Sequence, residues 1–521
     1  MRLMDRIKGL FGKREAAKNK IFEYEEFQKA YVSKKLKDNL DYLQRILKGS
    51  QDIIYREFSI RAINQEFLLV YVDGMAEKKL LNDQILKSMM VEMNPFLAKE
   101  KFTLEEVKNQ LVSATEVNEV ETFDKLVLAL LSGDTLVFME GSAHGLIVGS
   151  KGWESRGVSE PTTEKSVKGP KDCFIETLKN NIVLIRRRIR DPNLAVEMLQ
   201  VGRRSKTDVA IVYLKGVMRQ EIVALIKKRI QQVDTDGLID STELMGLIED
   251  HKWTFFPQIQ HTERPDRAVA AILEARAAVL VDGSPFALLA PATFSMFLDS
   301  PDDYYERAIV SSLIRFTRYL SFFISASLPG VYIAITSFHP GMLPVALALS
   351  ITGTRVALPF PTVVEMFAME TILEVLHEAG LRLPQAIGQT VGIVGGIVIG
   401  QAAVQAGLVS PVVVIIVAMT AITSFTLSSY SLNLTTRVLR IPFMIAGSTL
   451  GLYGIMVLWM FLLTHMSSLE SFGVGYLEDF SPFRLRDLKD TFIRVPKYLM
   501  GKRPEFLKPE DTQRQRTRKK Q

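Results

Sequence analysis

Charged side chains are distributed very unevenly along this chain of 521 residues. The first 310 residues are rich in charge, whereas roughly the next 155 contain long runs with almost none. A helix needs about 20 mostly apolar residues to cross a bilayer, and several of these runs are that long. The sequence therefore predicts a soluble α/β part followed by an all-α membrane domain with several spans.

Four segments of the apolar part have the length and composition of membrane spans: 316–338, 385–406, 410–430 and 441–465. An even number of crossings places both chain ends on one side of the membrane. The N-terminus has no apolar stretch followed by a cleavage site, so we expect no signal peptide and a cytosolic soluble part.

Two features leave the topology open. Residues 481–521 contain 13 Lys or Arg against 5 Asp or Glu, which favours a cytoplasmic tail facing anionic lipid. Arg437 and Arg440 lie between the last two spans, however, and if they face the cytosol the tail lies outside. Residues 342–379 form either a re-entrant pair or two additional spans.

The soluble part contains an internal repeat. The segment FDKLVLALLSGDTLVFMEGS (123–142) aligns without gaps on PDRAVAAILEARAAVLVDGS (265–284). The segment EFLLVYVDG (66–74) matches DVAIVYLKG (208–216) at the same offset of 142 residues. Because segments that are far apart in the chain share one constant offset, the sequence predicts two related α/β subdomains that arose by duplication and pack side by side.

These patterns divide the chain into five parts. A helical N-terminal extension precedes two α/β subdomains, a transmembrane domain and a basic C-terminal tail, with predicted bounds of 1–49, 50–160, 161–312, 313–466 and 467–521. Residues 149–170 are polar and rich in Gly and Pro, so we expect an exposed linker there.

The stretch PFPTVVEMFAMETILEVLHEAG (359–380) places four carboxylates between apparent membrane spans. At about 100° per residue, Glu370, Glu374 and Glu378 form one stripe with His377 beside it. Glu365 falls off this stripe. The predicted opposite face is apolar and carries Met366, Leu373, Val375 and Leu376.

Ionised carboxylates that face lipid are too costly, so the stripe must face water, protein or a cation path. One interpretation is a helix that lies in the membrane interface with its stripe toward water. The other is the lining of a pore or vestibule, where a ring of Glu favours cations. Glu370, Glu374, Glu378 and His377 are therefore the candidate pore-lining residues.

Residues 232–243 approach a calcium-binding loop. Gly237 and four acidic residues occupy suitable positions, but Gln232 replaces the usual first Asp, so a turn and a helix capped by Asp240 or Ser241 is preferred. The single cysteine, Cys173, excludes an internal disulfide framework and a Cys-based metal cluster. We expect no metal, no cofactor, no catalytic residues and no nucleic-acid partner.

Several segments resemble the A-subunit family of GerA-type spore germination receptors. They include IRRRIRDPNLAVEMLQVGRRSKTDVAIVYL, SPDDYYER, FHPGMLP, PFPTVVE and GLRLPQAIGQTVGIVGGIVIGQAAVQAGLVSP, and the likeness runs from about residue 50 to 480. The resemblance implies an inner-membrane protein of the dormant spore that acts with a transporter-like B subunit and a lipoprotein C subunit.

Members of this family are thought to oligomerise into a cation-conducting ring, and the resemblance therefore favours the pore-lining interpretation of the carboxylate stripe. The chain is then a ligand-gated channel component and not an enzyme. Two alternatives stay open. One is a non-conducting scaffold or signal relay, such as the related stage V sporulation paralogue, and the other is a transporter-like subunit.

Overall fold

The computed structural model has an α/β part followed by a helical bundle, as the sequence predicts. It describes residues 30–60, 65–87, 103–110, 116–152, 161, 164, 166–356, 358–382, 398–484 and 487–515.

Two five-stranded sheets form the centre of the α/β part. The first contains β1 (Ile53–Ile60), β2 (Gln65–Val72), β3 (Val117–Val120), β4 (Thr135–Met139) and β5 (Gly145–Val148). The second contains β6 (Leu194–Val201), β7 (Thr207–Leu214), β8 (Gln260–Thr262), β9 (Ala277–Val281) and β10 (Ala287–Ala290). Strands β4 and β9 are continuous apolar runs and are buried along their whole length, because both faces of each sheet are covered.

Short helices surround these sheets. They are α1 (Leu36–Ile46), α2 (Lys78–Leu80) with the π-helical turn Leu81–Leu86, α3 (Leu104–Gln110), α4 (Phe123–Leu130), α5 (Leu178–Arg186), α6 (Gln220–Gln231), α7 (Ser241–Ile248), α8 (Pro265–Leu273) and α9 (Phe294–Leu298).

The predicted duplication is confirmed by the strand order and the register. The first sheet runs β1-β2-β4-β5-β3 and the second runs β6-β7-β9-β10-β8, with antiparallel neighbours throughout. Phe67 pairs with Met139 in the first sheet, and Val209 pairs with Val281 in the second. Both members of the second pair lie 142 residues beyond their counterparts.

The repeat also includes helices α1 and α5. The Leu36 N–H at the start of α1 donates to the Glu140 carboxylate at 2.7 Å, and the Leu178 N–H at the start of α5 donates to Asp282 at 3.1 Å. The two residues of the second contact again lie 142 positions beyond those of the first. The part of the predicted N-terminal extension that forms α1 therefore packs within the first unit, while the other domain bounds stay predictions.

The two units pack side by side through a buried ion pair. The Arg186 guanidinium at the end of α5 donates two hydrogen bonds of 2.7 Å to Asp52, which precedes β1. Residues 149–170 connect the units, and their described part is not uniformly exposed. Pro161 is buried, and Glu164 forms an ion pair of 2.5 Å with Arg267 of α8.

The C-terminal part is a bundle of longer helices. They are α10 (Ala308–Phe338), α11 (Val345–Arg355), α12 (Thr362–Arg382), the described part of α13 (398–405), α14 (Pro411–Phe425) and α15 (Tyr430–Ser468). Among the described residues, α10 and α15 are long and apolar enough to cross a bilayer.

Helix α15 reverses direction at Gly451. This residue has φ 62° and ψ −146°, a conformation that in practice only glycine adopts. Residues 430–450, the first arm, and 452–468, the second arm, then run antiparallel, and the rings of Phe443 and Trp459 lie 4.9 Å apart. At the open end of this hairpin, Thr435 and His465 contact the neighbouring residues 255 and 254.

The reversal corrects the predicted span 441–465, which is not a single crossing but the two sides of a turn. After the reversal, the second arm brings the chain back to the α/β part. The Phe294 N–H donates to the Tyr476 carbonyl at 2.9 Å, and Arg514 forms an ion pair of 3.1 Å with Glu274. The described part of the basic tail thus packs on the second α/β unit, while Arg437 lies in the half of the first arm nearer to the α/β part and Arg440 lies near the middle of that arm.

The remaining predicted spans have mixed outcomes. Segment 316–338 lies within α10, and 410–430 contains α14 and the start of α15. Most of 385–406 lies outside the described residues. Region 342–379 contains the short helix α11 and most of the 21-residue helix α12. The 11 residues of α11 are too few to cross a bilayer, so the region does not form two additional spans, and the re-entrant pair stays a prediction.

Replacing Gly451 by Ala should destabilise the bundle. The added Cβ would lie 2.9 Å from the His339 ring and 3.1 Å from the Phe338 side chain, and the backbone conformation itself is strained for any L residue. We expect a loss of about 1–3 kcal/mol in unfolding free energy from the backbone alone.

The matched control is Gly353→Ala in α11, where a Cβ meets no atom within 4 Å. It should be neutral or slightly stabilising, since Ala is the better helix former. Thermal unfolding of the purified full chain in detergent measures both variants. Equal unfolding temperatures for the two would contradict the reversal at Gly451.

Asp479 in the tail should make the stability of the protein depend on pH. Asp479 is buried and accepts the Ser295 N–H at 3.1 Å, and its burial raises its pKa to about 6. Between about pH 4 and pH 6 the folded state holds a proton that the unfolded state has released, so stability should fall as pH rises through this window. Asp479→Asn should flatten this part of the stability profile, as measured by unfolding at several pH values. An unchanged slope would show that Asp479 does not bind this proton.

Candidate functional site: the carboxylate stripe of α12

Helix α12 carries the predicted stripe and packs against α14, α10 and the first arm of α15. Pro361 precedes its first residue, where a missing N–H costs no intrahelical hydrogen bond. The helix runs antiparallel to the first arm of α15, because Glu370 meets Arg440 while Glu374 meets Arg437. The stripe therefore faces a pair of arginines within the same chain.

Glu370 is the buried member of the stripe, with 8% of its surface exposed. It accepts a hydrogen bond of 3.1 Å from Arg440. The Arg440 Nε donates to the Ser325 carbonyl of α10 at 2.9 Å, so this one guanidinium connects α12, α15 and α10. A buried charge requires such partners, and this pair holds three helices in register.

Glu374 and Glu378 form the exposed end of the stripe. Glu374 accepts from Arg437 Nε at 3.0 Å, and Glu378 forms an ion pair of 2.7 Å with Arg382 on the next turn of α12. Their side chains are 53% and 56% exposed. His377 does not join this charge network, because its ring stacks on Phe425 of α14 at 5.4 Å with an interplanar angle of 13°.

The stripe thus changes from buried to exposed along one helix. Glu370 is not available to a cation unless Arg440 moves, whereas the outer carboxylate surfaces of Glu374 and Glu378 are accessible. The exposed end lies toward the α/β part, since Phe425 beside His377 is followed by Ser428, which donates to the Leu298 carbonyl.

The prediction that Met366 and Val375 share one apolar face of α12 is wrong. Met366 is fully buried on the same side as Glu370, in a cluster with Met369 and with residues of α10 and α14. Residues four apart lie on one helical face, so this placement also follows from the spacing. Val375, predicted to lie on the same apolar face as Met366, is mostly exposed.

Glu365, which lies off the stripe, is part of a second buried site. Its carboxylate accepts the Ser410 N–H at 2.8 Å and lies 3.8 Å from Arg355. Sequence reasoning uses Arg437 and Arg440 only as indicators of topology. Their three-residue spacing, however, places them on one helical face that can pair with Glu370 and Glu374. That complementary spacing was the signal that could have identified them.

The calcium-like segment folds as a turn and a capped helix, as preferred. The Asp240 side chain accepts the Thr242 N–H at 2.7 Å and caps α7, while Asp234 is paired with Arg203. Across the part of the chain that the structure describes, no group of three or more His, Cys, Asp or Glu side chains is arranged to hold a metal ion.

Comparison with known proteins gives the family. A model of the Bacillus/Clostridium GerA spore germination protein matches residues 41–506. The chain belongs to this family. Spore germination protein B1 of Bacillus subtilis (strain 168) is 40% identical over 485 residues, which are 93% of this chain and 100% of that relative.

Other GerA-family relatives are similar over most of their length. Spore germination protein GerLA of Bacillus cereus is 37% identical over 92% of this chain and 96% of the relative. The crystal structure of the N-terminal domain of the A subunit of the Bacillus megaterium spore germinant receptor GerK3 is 31% identical. It covers 51% of this chain and 98% of that chain, with a TM-score of 0.41.

Removing one partner of the buried ion pair should destabilise the bundle strongly. Arg440→Met leaves the Glu370 carboxylate buried without a cation, which should cost about 3–5 kcal/mol. The double variant Arg440→Met with Glu370→Gln should recover much of this loss, since no unpaired charge then remains.

The matched control is Arg382→Met, which removes the partner of the exposed Glu378. Exposed pairs contribute at most about 1 kcal/mol, so little change is expected. Unfolding of the purified chain in detergent compares the three variants. The buried pairing is contradicted if Arg440→Met and Arg382→Met lose the same stability.

Proposed function

We propose that this GerA-family chain is the A subunit of a nutrient-responsive spore germination receptor. It acts in the spore inner membrane, with its large N-terminal part in the cytosol, alongside a transporter-like B subunit and a lipoprotein C subunit. It is not an enzyme and needs no cofactor. Support comes from relatives that are named spore germination proteins and are 35–40% identical over nearly the whole chain.

The dimensions of the bundle support insertion in a bilayer. The first arm of α15, residues 430–450, is about 31 Å long at about 1.5 Å per residue. A bilayer core is about 30 Å thick. Large apolar side chains on the second arm face outward, including Met456, Met460 and Phe461, which would be unfavourable in water.

The exposed carboxylates of α12 are the observation that carries the channel proposal. Glu374 and Glu378 lie on a helix of an apolar bundle, and more than half of each side chain is uncovered by the chain itself. A carboxylate does not face lipid, so these groups face water or another subunit. We therefore place them on a cation path at the centre of a homo-oligomer, with His377 and Glu370 behind them.

A non-conducting scaffold or signal relay is the second candidate. The observation that favours it is the pairing of Glu370 and Glu374 with Arg440 and Arg437, which lowers the net negative charge of the stripe. In that case the ion pairs serve only to join helices, and a cation flux would not depend on them.

Glu374→Gln separates these two functions. The substitution keeps the size of the side chain and removes its charge. Attraction between one charge and a monovalent ion about 4 Å away is on the order of 4 kcal/mol at an effective dielectric near 20. On the conducting proposal, potassium release from spores after nutrient exposure should fall severalfold or more, and ion selectivity should shift.

Two controls accompany this variant. Glu221→Gln neutralises an exposed carboxylate on α6 of the second α/β unit and should leave release unchanged. Leu373→Ala removes packing on α12 and should lower the amount of assembled complex without changing selectivity. Complex abundance is measured by immunoblot. Normal release and selectivity with Glu374→Gln at normal abundance would favour the scaffold.

A further inference from the structure

The loop between α7 and β8 presents aromatic side chains to solvent. Trp253 is 100% exposed and Phe255 is 63% exposed. Full exposure of a tryptophan leaves a large apolar surface in water, which folding by itself does not require. The two rings therefore indicate contact with something outside the chain.

The loop is held rigidly, so this exposure is not a consequence of a loose segment. The His251 N–H donates to the Gln258 side chain at 2.9 Å, and the Gln258 amide donates back to the His251 carbonyl at 2.7 Å. Phe256 is buried and lies 6.2 Å from the ring of Tyr476 in the tail. Trp253 lies at the tip of a loop whose base is closed and packed.

Two hydrogen bonds fix the position of this loop relative to the helices of the bundle. Thr254 shares a hydrogen bond of 2.9 Å with His465 near the end of the second arm of α15, and Thr435 near the start of the first arm donates to the Phe255 carbonyl at 2.5 Å. The loop tip therefore lies where both arms leave the bundle and meet the α/β part.

The surroundings match a lipid headgroup layer. Phe425, the last residue of α14, and Tyr430, the first residue of α15, are also exposed at this end of the bundle. Lys252 beside Trp253 is exposed and carries a positive charge, which complements anionic headgroups. Tryptophan and tyrosine are enriched at membrane interfaces because they combine an apolar ring with a polar group.

We propose that the 251–256 loop is a membrane anchor, with Trp253 and Phe255 in the headgroup layer of the cytosolic leaflet. The anchor would fix the distance and tilt of the second α/β unit relative to the bilayer. This inference rests on the membrane insertion proposed above, and the occupant of the loop surface is lipid with an anionic component, not a second protein chain.

The test uses the full chain in nanodiscs of phosphatidylcholine and phosphatidylglycerol. The chain contains three tryptophans, Trp153, Trp253 and Trp459. The emission of Trp253 is obtained as the difference between the wild type and Trp253→Phe, and that of Trp459 in the same way from Trp459→Phe. Since Trp253 is fully exposed, Trp253→Phe should leave folding unchanged.

We expect Trp253 emission to be quenched by lipid that is brominated near the headgroup end of its chains. Lipid brominated near the chain terminus should quench it less, and aqueous iodide only weakly. Iodide quenching without bromine quenching would place Trp253 in water and overturn the proposal. Protection from both quenchers would place it against another protein chain and overturn it as well.

Trp459 distinguishes failure of the anchor from failure of membrane insertion. It lies in the second arm of α15, partly buried against Phe443 and Phe323. If brominated lipid quenches Trp459 but not Trp253, only the anchor is wrong. If it quenches neither residue, the membrane insertion on which the anchor depends is wrong too.

Discussion

A buried charge network joins the helical bundle to the α/β part. Arg315 of α10 is fully buried and lies 3.1 Å from Asp299, 3.3 Å from Asp303 and 3.2 Å from Asp490 of the tail. One turn later, Arg318 donates to Asp303 at 3.0 Å. Removing charges from water is costly, so these groups are stable inside the protein only while all their segments stay together.

This network explains why the tail is part of the fold. Arg494 of the tail donates to the Asp303 carbonyl at 2.5 Å. The tail therefore binds the same acidic turn, around Asp303, that α10 binds. Burial raises the pKa of Asp299 to about 6, and Arg315 acts in the opposite direction. The entry of the chain into the bundle and the tail that follows the bundle are therefore held together at one place.

Helix α10 links this junction to the carboxylate stripe. Its first turns carry Arg315 and Arg318, and its middle supplies the Ser325 carbonyl that holds Arg440 against Glu370. Further along, Gly330 and Gly447 let α10 and the first arm of α15 approach so closely that an added Cβ on either would lie 2.3 Å from a backbone oxygen. One helix thus connects the two charge clusters.

The sequence by itself determined the duplicated α/β fold. Strand positions and register follow from the local alternation of apolar and polar residues and from apolar runs such as β4 and β9. Because the two copies differ by one constant offset, each copy supports the strand assignment of the other. It also determined that the α12 carboxylates avoid lipid, because that exclusion depends only on the cost of a charge in an apolar medium. Only the tertiary structure decided that Arg440 and Arg437 are their partners, since those residues lie more than sixty positions away. The reversal at Gly451 was likewise undetermined by composition, because an apolar run of one length can cross a bilayer once or turn back, and a single backbone conformation selects between them.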